Sequence, residues 1–343
     1  MKGKRLRFFM LALSVFLVTQ SAHAKDFVIN FSGGAAGEAV QKFYIEPFEK
    51  AKGIKVYFEP GDNFAKLRAM VESGNVEWDL AGAVSLYEVL QGADEGILEP
   101  LDYKIIDTTD ILKEAIHPYG IAKAFYSTVL AYSTKKYQKG KEPKSWQDFW
   151  DVKKFPGVRA LRNNPFNNLE FALMADGVPP DKLYPLDIDR AFRSLDKIKP
   201  YVKVWWTAGA QPAQLLTDGE VDMASAWNGR IYAVQKEQAP VAIQWNQGMI
   251  QFSAWVVPKG AANKKLAMEF INFTQQPKLQ AQYAEFVGYP GVNKKAFQYI
   301  DPKFAPNLPT YPENYKKQVV VDYRWWYKHM QEVQERWNAW ILK

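Results

Sequence analysis

Phe27-Val28-Ile29-Asn30-Phe31 begins a pattern that recurs through the first third of the chain: a short apolar run, a small or polar break, then apolar residues at helical spacing. Behind the first run comes Ser32-Gly33-Gly34-Ala35-Ala36-Gly37, and from Glu38 onward Val40, Phe43, Tyr44 and Phe48 fall on one side of a helix. Residues 54–58 form the next run, and Asp62 is placed to cap a helix carrying Phe64, Leu67, Met70 and Val71. A third run at 78–81 ends at Gly82-Ala83-Val84-Ser85, after which Tyr87, Val89 and Leu90 open another helix. Strands alternating with helices in this way predict an α/β fold on a doubly wound parallel sheet. Ser32, Gly33, Gly34, Asn63 and Ser85 all follow strands and so share one edge of that sheet. The glycine-rich turn offers backbone N–H groups to an anion, although a tight turn needing small residues accounts for it equally well.

Residues 125–133 are an extended apolar run, suited to crossing from a first lobe to a second. Beyond them, 146–150 start a new helical unit and 158–161 a short strand. Asn163-Asn164-Pro165-Phe166-Asn167-Asn168 is a polar loop before a helix over 169–176, and 187–198 is amphipathic. The densest stretch is 202–230. A β-branched and aromatic strand over 202–206 leads through Ala208-Gly209-Ala210 to a helix with Pro212 in its first turn. Asp218-Gly219 stops that helix, and a strand over 221–227 ends at an Asn228-Gly229 turn. Trp206, Gln211, Trp227, Asn228 and Arg230 thereby converge where ligands sit in open α/β sheets, outside the carboxyl ends of strands. A lone tryptophan is by default core; five such residues at adjoining ends point to a site. Residues 241–245 and 254–258 read as return strands, and 263–276 as a helix with Asn263 at its N-cap. The tail around Trp325, Trp326, Trp337 and Trp340 is expected to pack across a lobe, a membrane-surface role being the alternative.

The first residues stand apart from this pattern. Lys2, Lys4, Arg5 and Arg7 precede an apolar run over 8–18, and Ala22-His23-Ala24 has the form of a cleavage site. A secretory signal cleaved after Ala24 is expected, and a periplasmic mature protein with it. Its removal lowers the 44 basic residues to 40 against 37 acidic ones, a net charge near +3 rather than +7. No basic stripe remains to suggest nucleic-acid binding. With no cysteine in the chain, no disulfide staples it, so stability rests on the core, and about 320 mature residues suffice for two domains.

Catalytic machinery is hard to find. His117 and His329 are the histidines beyond the leader, and neither has a metal-ligand setting. There is no G-x-S-x-G elbow and no cysteine nucleophile. Carboxylate pairs are not singled out by spacing. An exported enzyme on the same scaffold stays as the alternative reading. No cofactor or metal is expected.

Several segments resemble periplasmic solute-binding proteins that feed ABC importers, in their spermidine/putrescine-binding branch. They are Phe48-Glu49-Lys50-Ala51-Lys52-Gly53-Ile54-Lys55-Val56, Gly74-Asn75-Val76-Glu77-Trp78-Asp79-Leu80, Lys144-Ser145-Trp146-Gln147-Asp148-Phe149-Trp150, Phe155-Pro156-Gly157, Asp218-Gly219-Glu220-Val221-Asp222 and Gly288-Tyr289-Pro290. The resemblance implies a type II periplasmic-binding-protein fold: two α/β lobes, crossing hinge strands and a ligand closed between them. It places lobe 1 at 25–128 with 250–305, and lobe 2 at 129–249 with 306–343. Implied partners are a small amine or amino acid and a membrane permease, the protein acting as a monomer.

Trp227 and Tyr289 match positions where polyamine binders place ring walls. Elsewhere acidic or aromatic positions of that branch correspond to Asn163, Asn164, Asn167, Gln251 and Ser253, and an aromatic pair to the glycine-rich turn. Negative charge and rings are removed, while Arg230, with Arg159 and Arg162, offers a carboxylate clamp. The expected ligand is therefore polyamine-like or, better, a smaller amine bearing an acid such as γ-aminobutyrate. Another anionic or organic solute, thiamine- or opine-like, is the remaining alternative.

Overall fold

In chain order the elements are β1 (Phe27–Phe31), α1 (Gly34–Val40), α2 (Glu46–Lys52), β2 (Val56–Pro60), α3 (Phe64–Ser73), β3 (Leu80–Ser85), α4 (Leu86–Asp94), β4 (Ile116–His117) and β5 (Gly120–Ser133). Then come α5 (Trp146–Trp150), β6 (Arg159–Arg162), α6 (Asn168–Ala175), α7 (Ile188–Ile198), β7 (Val202–Trp206), α8 (Gln211–Thr217), β8 (Met223–Trp227), α9 (Asn228–Lys236) and β9 (Val241–Val256). The last are α10 (Lys264–Thr274), α11 (Pro277–Val287), α12 (Pro312–Tyr315), β10 (Val319–Val320) and α13 (Tyr323–Ile341). The structure is a computed structural model and describes residues 26–61 and 63–343. The expected leader and the expected cap at Asp62 lie outside the described residues. The cap of α3 is Asn63, whose Oδ1 accepts from the Lys66 amide.

The strands form one sheet in the order β2-β1-β3-β9-β5-β8-β6-β7, with β4 on β5 and β10 on β9. β1 is parallel to β2 and β3, and β6 is parallel to β7 and β8. These two parallel groups meet only through the long antiparallel pair β5 and β9. The pairing of β5 with β9 runs to Thr128↔Met249 and resumes at Leu130↔Gln244. Residues 245–248 therefore bow out opposite one residue of β5, and Gln247 has φ 64° there. A bulge of this kind bends the strand and raises its twist. The break lies where the two halves of the sheet meet.

Several expected boundaries move for local reasons. The separate return strands at 241–245 and 254–258 are one strand, because the polar residues between them are satisfied: Gln247 accepts from the Trp146 amide through Oε1 and from its indole through the carbonyl. β3 runs on to Ser85 because Gly82 lies under the Trp255 ring, which an added Cβ would meet at 1.8 Å. α1 starts at Gly34, before the expected Glu38. Asn228-Gly229 is the first turn of α9, where an added Cβ on Gly229 would meet the Val287 carbonyl at 2.3 Å. That glycine permits close packing. Asn263 precedes α10 without a side-chain cap bond; its amide donates to the Asp79 carboxylate.

The tail packs as expected. Trp325, Trp326, Trp337 and Trp340 are all buried on α13, and three of their indoles donate outward: Trp326 to Glu170, Trp337 to Asn163, Trp340 to Asp196. No indole of this set is left to lie on a membrane. Among the described residues, no helix is long and apolar enough to cross one.

Candidate functional site

β1, β3, β6 and β8 all end at the same crevice between the two halves. From the first half come Phe31, Ser32, Ala83, Ser85, Tyr87 and Glu88, joined by Phe252, Ser253, Tyr283 and Tyr289; from the second come Arg162, Asn164, Phe166, Trp227 and Arg230. Phe125 and Tyr126 of β5 form the floor between them. The cavity they enclose is about 230 Å³, smaller than the ~300–1,000 Å³ of sites for drug-sized ligands.

Three rings make one wall. Trp227 stands edge-on to Tyr126, with ring centroids 6.2 Å apart, and Tyr126 is 6.1 Å from Tyr289. The indole of Trp227 is held in place from behind. Trp206 packs against it edge-to-face at 5.8 Å, and a Cβ on Gly209 would lie 2.1 Å from its ring. The small residues of the 208–210 turn therefore admit the protein's own tryptophan.

Charge enters on two guanidiniums. The Arg162 guanidinium carbon lies 5.4 Å from the Trp227 centroid and 5.7 Å from that of Trp206, within cation–π range of both. Arg230 reaches across the crevice to the glycine-rich turn, where Nη2 donates to the Gly33 carbonyl at 3.5 Å. A Cβ on Gly34 would sit 2.9 Å from its Nη1. The turn therefore meets the guanidinium with a carbonyl, and Gly34 makes room for Arg230. The negative charge at the wall is Glu88, whose Oε2 accepts from the Ser85 amide at 2.8 Å and the Ser85 hydroxyl at 2.7 Å, a capping box on α4. Burial, reinforced by the neighbouring Glu88 charge, pushes the Tyr87 phenol upward, so it remains a neutral hydroxyl.

Ser32, Ser85, Trp227, Arg230, Ser253 and Tyr289 thus line the cavity. Other expected ligand contacts lie elsewhere. Trp206 is fully buried and donates to Ser225. Asn228 is fully buried, with its Oδ1 accepting from the Ser127 amide and its Nδ2 donating to the Gly288 carbonyl. Gln211 accepts from the Thr207 amide at the start of α8. Asn163 turns to Trp337, and Asn167 and Gln251 bond to one another behind the wall. Asn63 borders a separate cavity of about 50 Å³ that shares Ala83 and Glu88 with the main one. Arg159 is 1% exposed and donates to the carbonyls of Phe149, Gly157 and Phe155. It is a bracket for the 149–157 turn and takes no part in a clamp at the cavity.

Arg162, Asn164 and Phe166 face in while Asn163 and Asn167 face away. β6 ends at Arg162 and the chain then turns, with the Phe166 amide donating to Asn164 Oδ1, so strand alternation could not have predicted these directions. Glu88 and Tyr126 were missed; the S-x-x-E spacing of a capping box on a strand-to-helix edge was the available signal for the first. His117 and His329 lie off the cavity wall, the latter stacked on Trp325.

Two parallel half-sheets, a hinge of long crossing strands and a small aromatic and charged crevice define a two-lobed solute-binding protein. The chain belongs to the family of bacterial extracellular solute-binding proteins, which its residues 44–312 match. It is 38% identical to a gamma-aminobutyric acid-binding protein of Pseudomonas aeruginosa, over 99% of this chain and 96% of the relative. A spermidine/putrescine-binding periplasmic protein of Escherichia coli is 26% identical over 90% of each. An ABC transporter substrate-binding protein from Bradyrhizobium japonicum superposes with a TM-score of 0.88 at 43% identity, covering 92% of this chain and 99% of that one.

Proposed function

We propose that this protein captures a small ω-amino acid of the γ-aminobutyrate kind between its lobes in the periplasm and delivers it, chemically unchanged, to the permease of an ABC importer. The observation that carries this is the charge on the cavity wall: among the described residues, Arg162 and Arg230 stand against one carboxylate, that of Glu88. A ligand with one acid and one amine meets a partner at each end. A diamine or triamine meets two fixed positive charges and needs a second carboxylate, which the described residues of the wall do not supply. The aromatic trio of Tyr126, Trp227 and Tyr289 suits an ammonium or a short methylene chain. The cavity volume favours a short ligand over a sugar conjugate. The γ-aminobutyrate-binding relative agrees with this reading.

The lobe boundaries we assign, 25–128 with 250–305 and 129–249 with 306–343, are supported by the register break between Thr128 and Leu130. Export through a leader cleaved after Ala24, and function as a monomer, complete the reading. A thermal-shift panel of γ-aminobutyrate, butyrate, putrescine and spermidine tests it. A ligand at 100 times its Kd adds ~2.7 kcal/mol of stability. The largest rise in Tm is expected for γ-aminobutyrate, with the compound recovered intact. A rise for spermidine with none for γ-aminobutyrate overturns the ligand, and turnover of any hit favours the exported enzyme.

A further inference from the structure

We infer that Gln251 is a positioning residue that ties a tyrosine of the cavity wall to the orientation of the second lobe. The inference rests on the reading above, in which the lobes close on a solute. Gln251 is 1% exposed and lies on β9, directly opposite Tyr126 of β5 in the ladder. Its Oε1 accepts from the Tyr126 hydroxyl at 3.1 Å. Its Nε2 donates to Thr128 Oγ1 at 2.7 Å and to Asn167 Oδ1 at 2.9 Å, with the Met249 carbonyl further off at 3.3 Å. An amide has one acceptor oxygen and two donor hydrogens. One side chain thus joins three places: the cavity wall at Tyr126, the last residue before the hinge break at Thr128, and the second lobe at Asn167.

The Asn167 end of this chain is under tension of its own. Asn167 has φ 71°, a left-handed conformation rare outside glycine and asparagine. It is 2% exposed, and its Nδ2 has no hydrogen-bond partner. A buried amide donor without an acceptor is costly, and here it stands at the seam between the lobes. The neighbouring Phe166 lines the cavity and packs on Tyr87 of the first lobe at 5.5 Å. A shift of Asn167 against Gln251 therefore moves a cavity wall. A direct hydrogen bond from Tyr126 to Gln251 within the first lobe, and one from Gln251 to Asn167 of the second, make Tyr126 and Asn167 report on one another.

Because the chain has no cysteine, a dye pair can be placed cleanly on Lys50→Cys and Lys203→Cys, both exposed positions, one on each lobe. Inter-lobe energy transfer and γ-aminobutyrate affinity are then measured for wild type, Tyr126→Phe, Asn167→Gly and their double variant. Glycine accepts the φ of Asn167 without strain and deletes its amide-bearing side chain, and Phe keeps the Tyr126 ring while deleting the hydroxyl. Each single variant is expected to lose about two- to tenfold in affinity, the effect of one hydrogen bond. The double is expected to lose no more than the worse single. Asn167→Gly alone is expected to change the inter-lobe distance of the ligand-free protein, which a purely local packing role does not do. Losses that multiply, together with an unchanged ligand-free distance, overturn the inference. If wild type does not respond to γ-aminobutyrate, the ligand reading fails. The ligand-free distance in Asn167→Gly then decides the relay alone: a change supports it, and none overturns it.

Discussion

Arg162 and Arg230 reach the same cavity by different supports. The first lies within cation–π range of two indoles, and the second fits a gap left by Gly34. A charge-assisted hydrogen bond is worth ~1.5–3 kcal/mol, so Arg230→Ala or Arg162→Ala should weaken γ-aminobutyrate binding by about ten- to 150-fold in calorimetry, with unfolding unchanged. Arg159→Met should do the reverse, lowering the denaturation midpoint and leaving affinity intact, because its guanidinium is spent on three backbone carbonyls. The sequence placed all three arginines near the crevice as a clamp, but it could not separate Arg159, which the fold turns onto backbone carbonyls. Spacing identifies which residues sit near strand ends, whereas the partner of each depends on what packs over it. The same limit made Trp206 look like a ligand wall, although its indole is the backing for Trp227.

At the scale of elements, α6 and α13 are joined by a buried acid. Glu170 on α6 is fully buried, and its Oε1 accepts from Tyr184 at 2.6 Å and from the Trp326 indole at 2.7 Å, while Oε2 has no partner. Burial pushes the carboxyl up to about 7 despite those two donors. The folded state therefore holds this proton more tightly than the unfolded chain. That stabilisation is complete below the ordinary carboxyl range near 4.5 and is lost as the pH rises through about 7. Urea unfolding at pH 5 and pH 8 should show a decline of up to about 3 kcal/mol from this group, and Glu170→Gln should flatten it. The turn before α8 gives another test. Gly209→Ala drives a Cβ into the Trp227 ring, so the indole must move, and ligand affinity should fall more than stability. The helices α3, α7 and α10 were legible from their apolar stripes, close to their observed bounds. The start of α9 was not, since Asn-Gly is turn chemistry in isolation and close packing against the Val287 carbonyl in the fold.

Across the whole molecule, the doubly wound halves were legible because strand–helix alternation admits few topologies. The resemblance supplied the two-lobed plan. The length of β9 was not legible, because Asn246, Gln247 and Gln251 interrupt its apolar pattern, and their partners Lys144, Trp146 and Thr128 lie on other parts of the chain. Function depends on this feature: a pair of long strands with a break at Thr128 and Leu130 lets two rigid half-sheets share one crevice. If Arg162 and Arg230 make the crevice select an acid-bearing amine, calorimetric titration of the wild-type protein with γ-aminobutyrate and with putrescine shows it. Saturable one-to-one binding of γ-aminobutyrate is expected, at least about a hundredfold tighter than putrescine; putrescine binding as tightly as γ-aminobutyrate, or better, would contradict this selection.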